Sequence, residues 1–99
     1  MYLDRTKIND EALLPIRSLP QLERLYVSGT PITDTGLRYL GNRTSFKGLE
    51  LSKTRITDSG LRHLYSLKSL IGINVSGTAV TSSGVRKLRK ALPNCQVAL

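Results

Sequence analysis

Few side chains in this sequence could carry covalent or acid–base chemistry, and they are dispersed. Three serines recur at one spacing, Ser28, Ser52 and Ser76. Acyl transfer by a serine needs a histidine within hydrogen-bond reach as its base. The one histidine, His63, falls in a helical stretch expected on the far side of the molecule from those serines. The one cysteine, Cys95, rules out an internal disulfide, and its place in the pattern (equivalent to Glu23, Lys47 and Ile71) reads as a semi-buried structural position at a strand entrance. A single His and a single Cys leave no metal cluster, and no glycine-rich phosphate loop, HExxH or CxxC occurs. The sequence therefore reads as non-enzymatic, without cofactor or metal. What remains is chemistry suited to recognition. Arg24, Tyr26, Glu50 and Asn74 stand at repeating positions, and Arg62, Arg86, Lys87, Arg89 and Lys90 gather cations toward the C-terminal side.

Length and composition bound the elements that hold these residues. Ninety-nine residues make one domain, and a 39% hydrophobic fraction supplies a core. No apolar run approaches a membrane span. The opening MYLDRTKIND carries acids and no apolar segment, so it does not read as a secretory signal, and a cytoplasmic setting is the default. Lys plus Arg number 15 against 7 Asp plus Glu, for a formal charge of +8. The excess is uneven, because residues 59–99 contain six Lys and Arg and no acid. Such a field steers a chain toward acidic partners.

The positions repeat because the chain repeats. VSGTPITDTGLRYL (27–40), LSKTRITDSGLRHL (51–64) and VSGTAVTSSGVRKL (75–88) align at an offset of 24 without a gap, and LDRTKINDEALLPI (3–16) precedes them at the same offset. One apolar column reads Leu25, Leu49, Ile73, Val97, and the column two residues on reads Leu3, Val27, Leu51, Val75, Leu99. This period of two suits a short half-buried strand. Leu37 and Leu40, like Leu61, Leu64 and Leu67, step by three, as one stripe of a short helix does. Asn9, Thr33, Thr57 and Thr81 stand where helix N-caps belong. Asp10, Asp34 and Asp58 follow in the first turn, where a carboxylate favours the helix dipole. Five strands are expected near 2–4, 25–28, 49–52, 73–76 and 97–99, and four helices near 10–18, 34–42, 58–66 and 82–92. The last apolar column, Leu22, Phe46 and Leu70, weakens to Asn94. Thr30, Thr54 and Thr78 fall where the backbone turns inward, and their hydroxyls are expected to bond peptide groups from one coil to the next.

The pattern LxxLxLSxTxITDxGLxxL resembles a leucine-rich repeat over essentially all of residues 1–99. It is most similar to the cysteine-containing class of F-box/leucine-rich-repeat and bacterial repeat proteins, with Thr30, Thr54 and Thr78 where that class often has Cys or Asn. The tail LPNCQVAL resembles a closing unit of such proteins. The resemblance implies an α/β solenoid of about four repeats ending in a closing strand, and a role in binding proteins. An F-box relative would imply substrate reading in ubiquitin ligation, but no F-box segment is present here.

Stacking follows from physics as well, since one unit cannot bury its apolar face alone. Strands stack about 4.8 Å apart and helices about 8–10 Å apart, so the helical side splays and the parallel sheet becomes the concave wall. Arg24, Tyr26, Glu50 and Asn74 then line that wall for a protein partner, although Arg24 could simply pair with Glu50. The convex side is basic. Arg62, Arg86, Lys87, Arg89 and Lys90 there constitute a second reading, a docking face for RNA or an acidic surface, against plain solvation of helix faces. The open N-terminal strand edge is a further place for association.

Overall fold

The computed structural model describes residues 1–19, 21–41 and 45–99. Four three-residue strands form one parallel sheet in chain order: β1 Arg24–Tyr26, β2 Gly48–Glu50, β3 Gly72–Asn74 and β4 Gln96–Ala98. Leu25, Leu49, Ile73 and Val97 pair in one row across it, so the register equals the sequence offset. The strands lie one residue earlier than the alternation suggests. The first expected strand is a single parallel bridge from Tyr2 to Tyr26. Backbone pairing nevertheless runs past each strand, as in Val27 N to Glu50 O at 3.0 Å and Gly29 N to Ser52 O at 3.0 Å.

The helical side holds α1 Leu13–Ile16, α2 Asp34–Leu40, α3 Asp58–Leu61 and α4 Ser82–Ala91. A 3₁₀ turn at Asp10–Ala12 leads into α1, and another at Arg62–Leu64 continues α3. The expected helices shorten accordingly, and residue 42 of the expected 34–42 range lies outside the described residues. Tight helical turns suit this layer because each coil has only a few residues in which to cross the convex side.

The apolar columns mesh into one core. Val27, Leu37, Leu40, Phe46, Leu51, Ile56, Leu61, Leu64 and Leu67 are wholly buried. Leu3, Ile8 and Val97 are only partly buried, because each has a neighbouring coil on one side. The last coil corrects one expectation, that for Cys95. Asn94 is exposed and Cys95, read as semi-buried, is buried at 5% exposure, whereas Ile71 in its column is 55% exposed. In this coil the buried residue is thus Cys95, next to the exposed Asn94 that continues the column of Leu22, Phe46 and Leu70.

Coil-to-coil bonding also differs from expectation. The hydroxyls of Thr30, Thr54 and Thr78 donate to the carbonyls of Val27, Leu51 and Val75 at 2.6, 2.7 and 2.5 Å. These bonds close the turn within a coil and do not reach the next one. A recurring side-chain link between coils comes instead from the aspartate column. Asp10 Oδ1 accepts from Thr33 N at 2.8 Å and its Oδ2 accepts from the Thr33 hydroxyl at 2.5 Å. Asp34 takes Thr57 in the same way (2.7 and 2.5 Å), and Asp58 takes Thr81 (2.8 and 2.5 Å). Each N-cap threonine is therefore held by the preceding carboxylate. Thr33 and Thr81 also cap their own helices by accepting from Thr35 N and Gly84 N, whereas Thr57 makes no such bond.

The clasp explains a glycine column. A Cβ on Gly36 would lie 2.6 Å from Asp10 Oδ1, and a Cβ on Gly60 or Gly84 would fall on the carboxylate of Asp34 or Asp58. Each carboxylate lies against the helix of the following coil, in space that only glycine leaves free.

Candidate binding surfaces

The sheet places alternate side chains on the concave face. Arg24, Tyr26, Glu50 and Asn74 all line one groove of about 380 Å³, together with Gly48, Gly72, Gln96 and Ala98 and the edges of Leu49, Ile73 and Val97. All four residues singled out from the sequence therefore share one surface. Tyr26 pairs with Glu50 and Glu50 with Asn74 in register, so an aromatic ring, a carboxylate and an amide follow one another across the strands.

Each of these groups is held in place. Tyr26 stacks on Tyr2, with ring centroids 4.5 Å apart and planes 17° apart. Tyr2 is 77% exposed and carries the aromatic row to the sheet edge. The stack depends on the parallel bridge between the two residues. Glu50 Oε2 accepts from Asn74 Nδ2 at 3.2 Å, and Glu50 Oε1 accepts from Ser52 N at 3.2 Å. Asn74 Oδ1 accepts from the N–H and hydroxyl of Ser76, at 2.9 and 2.8 Å. Asp4 Oδ1 does the same for Ser28, at 2.8 and 2.9 Å. The hydroxyls of Ser28 and Ser76 are thus committed to neighbouring acceptors.

Arg24 does not pair with Glu50. Its stem lies over Gly48, whose Cβ position is 3.4 Å from Arg24 Cγ and 3.7 Å from Nε. Nothing lies within 4 Å of the equivalent position on Gly72, so the middle of the groove is open. Between described residues the ion pair is Lys47 with Glu23, at 3.2 Å.

The convex face carries the cations. Arg62 and, on α4, Arg86, Lys87, Arg89 and Lys90 are exposed. Arg62 and Lys87 meet Ser59, Tyr65, Ser83 and Asp58 around a cleft of about 230 Å³ between α3 and α4. Asp58 sets one carboxylate among these cations. The Thr81 hydroxyl, and then the Thr81 N–H, hold its carboxyl below the ordinary carboxylate range, with Lys87 adding to the effect. Arg38 lies over the Tyr39 ring, 5.6 Å from its centroid. His63 is in the 3₁₀ turn of this layer, and burial pushes the Cys95 thiol up, away from the reactive thiolate. Among the described residues no group of His, Cys, Asp and Glu could hold a metal ion, and no helix is long and apolar enough to cross a membrane.

Known proteins share this fold. The family model described as Leucine Rich repeat matches residues 18–41. A leucine-rich-repeat protein of Leptospira interrogans superposes with a TM-score of 0.62 at 20% identity, over 87% of this chain and 27% of that one. An internalin from Listeria monocytogenes superposes with a TM-score of 0.60 at 18% identity, over 94% of this chain and 32% of that one. The fold is the leucine-rich-repeat solenoid. Among curated proteins none matches the chain. The chain spans about a third or less of the length of either solved structure. Leucine-rich-repeat proteins generally act in protein–protein interaction.

Proposed function

We propose that residues 1–99 work as one leucine-rich-repeat unit that binds a protein partner on the concave sheet. Tyr26, Arg24, Glu50 and Asn74 would supply the contacts, and Tyr2 would extend the aromatic wall. The observation that carries this reading is the convergence of all four side chains on one open groove, with Tyr26 braced by Tyr2 and Glu50 by Asn74. Bracing matters because a side chain already held in place loses less entropy on binding. Tyrosine and arginine are also among the residue types that most often dominate binding energy.

The size of the wall sets a limit. A standard interface covers about 800 Å² per partner, and four three-residue strands about 4.8 Å apart present less than that. The rim residues Asp4, Ser28, Ser52 and Ser76 would have to contribute, or the affinity would be modest. The test is affinity capture from the native source with the wild type and Tyr26→Ala side by side. A protein retained by the wild type and reduced about tenfold or more on the variant supports the reading. Equal retention on both refutes it.

A second reading rests on the α4 cations. Arg86, Lys87, Arg89 and Lys90 are exposed on a helix in a segment without acids, a surface suited to RNA or an acidic partner. Charge reversal at these four positions separates the readings, because it abolishes convex docking and leaves a groove ligand bound.

A further inference from the structure

On the concave face the acids are bonded and the cations are not. Glu50 accepts from Asn74 Nδ2 and Ser52 N, and Asp4 accepts from the N–H and hydroxyl of Ser28. Both carboxylates are thus turned to donors of the sheet itself. The cations lie differently. Arg24 leans from β1 over β2, with Cγ, Cδ and Nε at 3.4, 3.7 and 3.7 Å from the Cβ position of Gly48. At the rim beyond the strands, Arg5 and Lys53 lean in the same way over Gly29 and Gly77, their Cγ atoms 3.4 and 3.1 Å from those Cβ positions. None of these three side chains makes an ion pair or hydrogen bond with a described residue.

We infer that the groove receives an acidic segment of a protein partner, with one Asp or Glu side chain laid over Gly72 and its carboxylate on the Arg24 guanidinium, an assignment that rests on the concave-face reading above. Charge decides the occupant. A carboxylate arriving at Arg24 meets a cation with no acid of its own, and Arg5 and Lys53 attract the rest of an acidic segment. The planar guanidinium fork takes a carboxylate through two parallel bonds. Arg24, Gly48, Gly72 and Gln96 pair in one row, so the place beyond the Arg24 stem is the one over Gly72. It is open, with nothing within 4 Å of the Cβ position there. The glycines at positive φ are Gly29 and Gly77, so the backbone of Gly72 would suit any residue. Glycine inside a strand weakens it, and close approach of a ligand or another backbone is the use such a glycine has when its own chain gives it none.

The probe is a random peptide library displayed on phage and selected on the whole wild-type chain. Peptides of about ten residues are long enough, at about 3.3 Å per residue, to cross the sheet. Those that Tyr26→Ala weakens about tenfold or more are groove ligands. They are expected to share an Asp or Glu at one aligned position. Changing that residue to Asn or Gln, or Arg24→Gln in the protein, is expected to weaken binding about tenfold or more, and the two changes together no more than either alone. Gly72→Val sets its Cβ in open space and is expected to stay folded, which far-ultraviolet circular dichroism reads, and to abolish binding. Groove ligands that are apolar or basic, or that bind R24Q and the wild type alike, overturn the acidic assignment and leave the concave-face reading standing. Acidic peptides that tolerate both Tyr26→Ala and Gly72→Val, held instead by the α4 cations, overturn both, as does a library that yields no groove ligand.

Discussion

Replacing Gly60 by alanine sets two physical effects against each other. Gly60 lies in α3 with ordinary helical backbone, so helix propensity alone predicts that alanine stabilises by about 0.5–1 kcal/mol. The new methyl, however, falls on the Asp34 carboxylate. Asp34 must move, and Thr57 N–H and Oγ1 lose their acceptors, now at 2.7 and 2.5 Å. A hydrogen bond to a charged group is worth about 1.5–3 kcal/mol, and this pair is only half-buried, so the net loss after the propensity gain is about 2–3 kcal/mol. For a domain of this size that lowers Tm by about 10–20 °C. Asp34→Ala is expected to cost a similar amount because it removes the same two bonds. The double variant is expected to cost little more than either single one, since once the carboxylate is gone the closest of these contacts to a methyl at residue 60 is the Cβ of residue 34, at 3.0 Å. Thermal and urea melts of the four proteins form a double-mutant cycle, with Gly72→Ala as the open-space control. Additive losses, or a G60A protein as stable as wild type, would refute the clasp as a link between coils.

Three further outcomes follow from the same geometry. The Asp58 carboxyl is held below its ordinary value by Thr81, so the unfolded chain takes up this proton first as acidity rises; stability should fall as the pH drops below about 4, and Asp58→Asn should flatten that part of a pH–stability curve. Lys53 occupies left-handed backbone at φ 56°, where Gly29 and Gly77 stand at φ 68°, so Lys53→Gly should raise stability by up to about 1 kcal/mol and Gly77→Ala lower it by about 1–2 kcal/mol in urea unfolding. Thr54→Val should cost roughly 1–3 kcal/mol, because the buried turn carbonyl of Leu51 loses its hydroxyl donor; a melt like that of the parent would remove this bond from the account of the turn.

What the sequence determined was whatever repeats. An apolar column recurring every 24 residues has one economical burial, so the parallel register of Leu25, Leu49, Ile73 and Val97, the inner and outer faces, and the placing of Arg24, Tyr26, Glu50 and Asn74 on one wall could all be read from spacing. What tertiary structure decided was how close the coils come. The aspartates read as helix-dipole partners because their charge and position suffice for that role, yet their second role depends on the ångström-scale gap over Gly36, Gly60 and Gly84. The threonine hydroxyls turned back into their own coil, and Arg24 lay down on Gly48 instead of meeting Glu50. Periodicity reports which side of an element faces inward. The partner of a polar atom is set by distances of 2.5–3.2 Å between chain segments, and no linear pattern encodes these.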